Sequence, residues 1–306
     1  MPDMTATEVV DLFRRPPQRL VDVGAGSVAY RRVGDGPDVL FVHGWPVSGA
    51  TFRSLLPHLA AHVTCHVVDL PGAGSSRFDA TTELSVARHI RTVRALPDLL
   101  GLDDLAVVGH DSGGLIARHA LAADPRVRAM ALLNTEQPAG LNGRFRAFLA
   151  ASRLPGFAAG LGWAVGSPRI RRQPLVLGGA FADRRLLDGE FDEFFLRPLH
   201  RIPARRRAAV RVLRSFEPRL VHELAALHAR IDVPVRLVWG DRDPFFPLAW
   251  AERMVPTFPR ADLVTVPGAG LFVHEERPRE VAAALLPVLT AEPGRPPVPD
   301  GRPTHG

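Results

Sequence analysis

The sequence predicts an α/β protein: a mostly parallel, doubly wound sheet that carries an inserted helical block. Three observations predict it. Strand-like and helix-like segments alternate through most of the length, as crossover connections between parallel strands require. Between about 136 and 215 the alternation stops, and amphipathic segments punctuated by Pro and Gly take over. At Gly109-His110-Asp111-Ser112-Gly113 an apolar strand-like run passes directly into a helical pattern through a glycine-flanked turn.

The elements follow in order. Segments 20–23 and 28–33 read as an opening hairpin, and 38–42 as a strand ending at His43-Gly44-Trp45-Pro46. Segment 63–70 is the next strand and ends at Pro71-Gly72-Ala73-Gly74. The run Leu105-Ala106-Val107-Val108 reads as a buried strand; Leu115-Ile116-Ala117 and Ala120-Leu121 follow at helical spacing. After a strand over 127–133 come helices over 145–154, 157–165 and 186–199. Strands resume at 235–239 and 263–266, and a last helix covers 278–289. The expected division is 1–135 for the first part of the core, 136–215 for the helical block, 216–290 for the second part of the core, and 291–306 for a Pro- and Gly-rich disordered tail.

Composition narrows the function classes. With 306 residues and 46% hydrophobic content, the chain is long enough for one large core with an insertion. Met1-Pro2-Asp3-Met4 lacks the basic start and apolar run of a secretory leader, and no stretch is apolar enough to span a bilayer. The single cysteine, Cys65, permits no internal disulfide and reads as buried filler. Together these point to the cytoplasm. The net charge is +6, and all 38 basic residues are Arg, a compositional habit rather than a patch. Arg205-Arg206-Arg207 lies in a helical pattern and reads as a solvated face, so neither nucleic acid nor membrane is expected as a partner. No metal or cofactor is called for.

The glycine-flanked turn is where chemistry is expected. A reactive side chain displayed at a tight strand-to-helix turn needs small residues two before and two after it. Gly109 and Gly113 stand in that relation to Asp111; Ser112 has His110 two residues before it and fails on frame. The plainer alternative is a Gly-rich turn with an Asp helix cap. Four landmarks then occur in order: His43-Gly44-Trp45-Pro46, Asp69-Leu70-Pro71-Gly72, the turn itself, and Gly240-Asp241-Arg242-Asp243. With these, the chain from about 19 to 290 resembles the α/β-hydrolase superfamily, whose fold carries a helical cap. Asp at the turn resembles its haloalkane dehalogenase and epoxide hydrolase branch. The resemblance implies that Asp111 attacks carbon and forms an alkyl ester, with charge held by the backbone N–H groups of Trp45 and Ser112. It implies Asp243 as the acid, three residues after Gly240 and four before Pro247, with Asp241 a solvated turn residue. Glu136 is a second possible acid, although Asn134 aligns best with that place.

The family's histidine should follow Pro267-Gly268-Ala269-Gly270, and Leu271 stands there. Leucine accepts no proton, so ester formation can survive while ester hydrolysis loses roughly 100- to 10,000-fold, the worth of a general base. His274 comes three residues later and is expected to point elsewhere, as a surface or capping residue. A non-hydrolytic or ligand-binding descendant and a Ser112 esterase stay open as alternatives.

Absences bear on substrate. Epoxide hydrolases of this branch use two cap tyrosines, but the one tyrosine here, Tyr30, is near the start. Dehalogenases place a Trp just after the nucleophile, where Ser112 stands; fluoroacetate dehalogenases place arginines where Ser112 and Leu115 stand. Trp45 and Trp163 remain as indole donors for a halide, with core packing the alternative for Trp163. Phe145, Phe148, Phe157, Phe181, Phe191, Phe194 and Phe195 of the helical block pack it and in part line an apolar pocket, which suggests a small apolar substrate.

Overall fold

Strands Asp38–Val42 (β3), Leu105–His110 (β5) and Val235–Gly240 (β7) are apolar at almost every position because both faces of the sheet are covered. Successive side chains therefore feed two cores. Val39 and Phe41 enter one, Leu40 and Val42 the other; Ala106 and Val108 divide from Leu105 and Val107 in the same way. The computed structural model describes residues 4–24 and 26–291. The expected disordered tail, 292–306, lies outside the described residues.

The sheet has eight strands. The others are Arg19–Asp22 (β1), Ser27–Val33 (β2), Thr64–Asp69 (β4), Val127–Leu133 (β6) and Ala261–Val266 (β8). Their order is β1-β2-β4-β3-β5-β6-β7-β8. The expected hairpin β1–β2 is antiparallel, as is β2–β4, and every later pair is parallel. Helices Val86–Leu100 and Ser112–Leu121 pack together over one face. Helix Pro278–Leu289 packs on β6 and β7 over the other, with the bounds the sequence suggested. The sequence thus yields the α/β-hydrolase fold it predicted.

Between β6 and β7 the chain forms helices Gly143–Ser152, Phe157–Gly166, Arg197–Arg201 and Pro203–Arg214 with short turns between them. The helix expected over 186–199 does not run unbroken. Gly189 has φ 63°, a left-handed turn that ends the Arg184–Leu187 turn and starts a new helix over 190–201. The solvated Arg cluster needs correcting too. Arg205 lies over the Phe78 ring at 5.0 Å and donates to Ser76 O, while Arg206 donates to Leu199 O (2.8 Å) and His200 O (2.9 Å). Only Arg207 of the three is exposed. Cys65 is buried, which pushes its thiol up and keeps it protonated. Among the described residues no helix is long and apolar enough to cross a membrane.

Candidate active site

Asp111 joins β5 to helix Ser112–Leu121 at φ 51°, ψ −136°, one of two described non-glycine residues with positive φ. The flanking glycines are sterically required. A Cβ on Gly113 would lie 2.2 Å from Val42 O, and one on Gly109 would lie 2.6 Å from Gly114 Cα. The strained residue is therefore Asp111 and not Ser112, which is already the first residue of the helix.

The loop after β3 closes on this turn from the side. Gly44 lets it approach, since a Cβ there would sit 2.4 Å from Asp111 Oδ2. His43 fixes the loop: its Nε2 accepts from Leu70 N–H (2.9 Å) and its Nδ1 donates to Gly44 O (2.8 Å). The result is a Trp45 N–H that donates to Asp111 Oδ2 at 2.8 Å. Ser112 also donates to the Asp111 carboxylate, and these bonds favour the ionised form. Burial outweighs them and pushes Asp111 up to about 6.

Asp243 follows β7. Its Oδ1 accepts from Phe245 N–H (2.7 Å) and Phe246 N–H (3.1 Å), and its Oδ2 accepts from Asn134 Nδ2 (2.7 Å). Asn134 also accepts Gly240 N–H through Oδ1 at 2.9 Å, so it ties the end of β6 to the end of β7. Burial pushes Asp243 up to about 7, with a smaller push from the Asp111 charge. Asp241 is exposed and accepts Gly268 N–H (2.7 Å), a turn residue as expected.

An apolar cavity of about 500 Å³ opens over Asp111. Its wall includes Ser112, Trp45, Phe145, Phe148, Leu271 and Glu136. Leu271 is thus in the same chamber as Asp111, its N–H on Ala180 O (2.9 Å) and its carbonyl accepting from His110 Nε2 (3.0 Å). Glu136 is buried there as well, with Oε2 bonded by the Thr135 hydroxyl (3.0 Å) and Oε1 without a protein partner. Burial, then the Asp111 charge, push Glu136 up to about 8. Across Trp45 and Pro46 lies a smaller cavity of about 220 Å³ with Asp69, His89 and Arg205 in its wall. Gly49 N–H (2.8 Å) and Ser75 N–H (2.7 Å) already occupy the Asp69 carboxylate.

Three expectations are overturned. The Trp45 indole N–H donates to Ala209 O at 2.8 Å and is not free for a halide. Trp163 is 66% exposed and lines no part of the cavity, so it is neither pocket nor core. His274 is neither surface nor cap: it is wholly buried, 2.9 Å from Thr51 Oγ1, with its ring centroid 4.4 Å from that of His110. It does point away from the cavity, as expected.

Of the aromatic residues singled out, Phe145 and Phe148 reach the cavity, while Phe181, Phe191 and Phe195 pack in the core below it. Sequence reasoning passed over Phe216, Phe245, Phe246 and Phe272, which complete the wall from outside the helical block. It also passed over Arg118. This buried guanidinium bonds Gly114 O (3.0 Å), Thr135 Oγ1 (3.0 Å) and Glu136 O (2.8 Å), fixing the segment after β6 against the turn. The available signal was an Arg inside the apolar helical run 115–121.

Comparison with known proteins shows the family. The profile of the alpha/beta hydrolase family matches residues 39–284, more than half of the chain. Pimeloyl-(acyl-carrier protein) methyl ester esterase of Chromobacterium violaceum is 31% identical over 244 residues, covering 78% of this chain and 88% of that protein. Haloalkane dehalogenase 2 of Mycobacterium bovis is 28% identical over 286 residues, covering 88% and 93%. Among solved structures, a putative ancestral haloalkane dehalogenase superposes with a TM-score of 0.74 at 26% identity, covering 89% of this chain and 100% of that one. By its sequence, its sheet and its strained turn, the chain belongs to the alpha/beta hydrolase family.

Proposed function

We propose that this chain is a hydrolase with an Asp nucleophile, opening carbon–halogen or epoxide bonds of small apolar substrates through an alkyl ester on Asp111. The carrying observation is that Asp111 holds the strained turn and faces the cavity, with Trp45 N–H on its Oδ2. In this reading Oδ2 stays on the Trp45 N–H, with Ser112 beside the carboxylate, and the other oxygen attacks carbon from the side opposite the leaving group. The helices between β6 and β7 act as a cap that keeps water out. The same donors hold the oxyanion that forms when water attacks the ester. That second step lacks its base because Leu271 fills the place of the histidine, so the ester persists.

A ligand-binding descendant is the competing reading. It is favoured by Leu271 and by Asp243, whose two oxygens are taken by Asn134 and two backbone N–H groups. Intact-mass measurement after incubation with butyl bromide or styrene oxide separates the two. A persistent single adduct that is lost in Asp111→Asn supports the nucleophile. Reversible binding without an adduct supports the descendant. Hydrolysis of a methyl ester that survives Asp111→Asn and is lost in Ser112→Ala would instead make the chain an esterase, like the enzyme of Chromobacterium violaceum.

A further inference from the structure

We infer that Glu136 is the proton donor for the leaving oxygen, and that this site opens epoxides faster than alkyl halides; this rests on Asp111 being the nucleophile. Glu136 shares the cavity wall with Asp111 and is 1% exposed. Its backbone is pinned by Arg118, its Oε2 by Thr135, and its Oε1 has no protein partner. A buried carboxyl oxygen without a donor is a poor place for negative charge and a good place for a proton. The other groups facing the pair are Arg118 and Asp243 behind it and Arg144 on the wall. Two carboxyls in one apolar chamber hold one charge between them. Asp111, with two backbone donors, carries it, and Glu136 keeps the proton.

Ring opening uses that arrangement. An Asp111 oxygen forms a bond to a ring carbon. The C–O bond breaks with its electron pair on oxygen, and that oxygen takes the proton of Glu136. Asp111 becomes a neutral ester and Glu136 a carboxylate. The cavity holds one negative charge before and after, so none is created in a low-dielectric space. The alcohol produced keeps its proton, and the charge now sits where Arg118 backs it.

A halide would leave as a new anion and needs donors. The Trp45 indole is spent on Ala209, and Trp163 is outside. Arg144 lies over the Phe245 ring at 4.6 Å with Nη2 on Pro174 O, so of the three it alone has N–H groups to spare on the cavity wall, one donor where a halide is held between two. The tyrosines that would otherwise protonate a ring oxygen are absent, because Tyr30 lies in β2 with its hydroxyl on His66 Nδ1 (2.8 Å).

The test is rapid-quench intact mass of the whole chain with styrene oxide and, separately, butyl bromide, in wild type and Glu136→Gln. The variant should form the styrene oxide ester about 100-fold or more slowly, the least a general acid contributes, and the butyl ester within about threefold of wild type. The wild-type epoxide rate should fall above a pH of about 8, where Glu136 loses its proton, and the bromide rate should not. A variant slowed equally with both reagents or unslowed with the epoxide, or a wild type that forms the butyl ester as fast as the styrene oxide ester, overturns the inference and leaves the nucleophile standing. Failure of both reagents to label wild type overturns the nucleophile and the inference with it. The bromide reaction in the variant itself reports that the site has folded.

Discussion

In the proposed reaction Leu271→His would put a base back, and the loop that would carry it lies against the loop of Asp243. The loops carrying the two residues are laced together. Arg242 N–H donates to Ala269 O at 2.9 Å, and a Cβ on Gly240 would lie 2.3 Å from Gly270 O. The Leu271 backbone is pinned at both N–H and C=O, so the new ring enters the cavity from a fixed point. A positioned base returns roughly 100- to 10,000-fold, or about 3–5 kcal/mol of barrier. The variant loses a buried Leu, a cost of about 1.5–3 kcal/mol, which lowers Tm by several degrees. The assay is to form the butyl ester, remove the reagent, and follow loss of adduct mass. Ester loss at the wild-type rate, in a variant that still folds and still forms the ester, would refute position 271 as the site of the base.

Stability should depend on pH with a defined sign. Asp243 and Glu136 are pushed up to about 7 and about 8, so between pH 6.5 and 8 the folded chain holds protons the unfolded chain has released, and Tm falls as pH rises. Below about 6.5 the five buried histidines His43, His89, His110, His228 and His274, all held down by burial, outnumber the four raised carboxyls of Asp111, Glu136, Asp243 and Glu275 and reverse the slope, because the unfolded chain gains their protons first. Thermal melts across the range should therefore peak near neutrality, and Glu136→Gln should make the alkaline limb shallower and the acid limb steeper, since Glu136 holds its extra proton from the unfolded value up to about 8; a wild-type Tm still rising at pH 8 contradicts this. Gly113→Ala drives a methyl into the backbone carbonyls of Val42 (2.2 Å) and His43 (2.5 Å), and should cost more than about 3 kcal/mol in denaturant titration, at the severe end for a point change. Trp163→Ala removes an exposed ring and should leave stability within about 0.5 kcal/mol and the rate of ester formation unchanged.

The strands were legible because burial on both faces writes them as short continuous apolar runs, and the turn because only glycines fit beside it. What failed was decided at a distance. The Trp45 indole looks available until Ala209, far along the chain, is brought against it. Trp163 sits in an apolar helix, Phe157–Gly166, but points outward, which periodicity in a helix rich in Gly and Ala does not reveal. Helical composition over 186–199 hides one left-handed glycine, Gly189, that breaks the helix. His274 carries no local mark of burial; its partner Thr51 comes from the short helix Gly49–Phe52, 223 residues away in the chain. Glu136 was visible as a spare acid, but its pairing with Asp111 needed the cavity.

In the proposed reaction, a missing base separates two steps that use the same carboxylate. The Trp45 N–H on Oδ2 and the neighbouring Ser112 serve both attack and hydrolysis, whereas a base serves hydrolysis alone. Once the ester forms, the Asp111 charge is gone, and with it one of the two main pressures raising Glu136. Burial remains as the other, so Glu136 ionises at a lower pH in the ester than in the free chain. It is then a carboxylate in the chamber that holds the ester and can take the proton of an incoming water, though less well placed than a ring held by Asp243. The slow loss of ester in the chain with Leu271 should rise with pH and level off below a pH of about 8, and Glu136→Gln should abolish that rise. A rate that keeps climbing in proportion to hydroxide in both chains would mean that solvent alone does the work and that Glu136 takes no part in the second step.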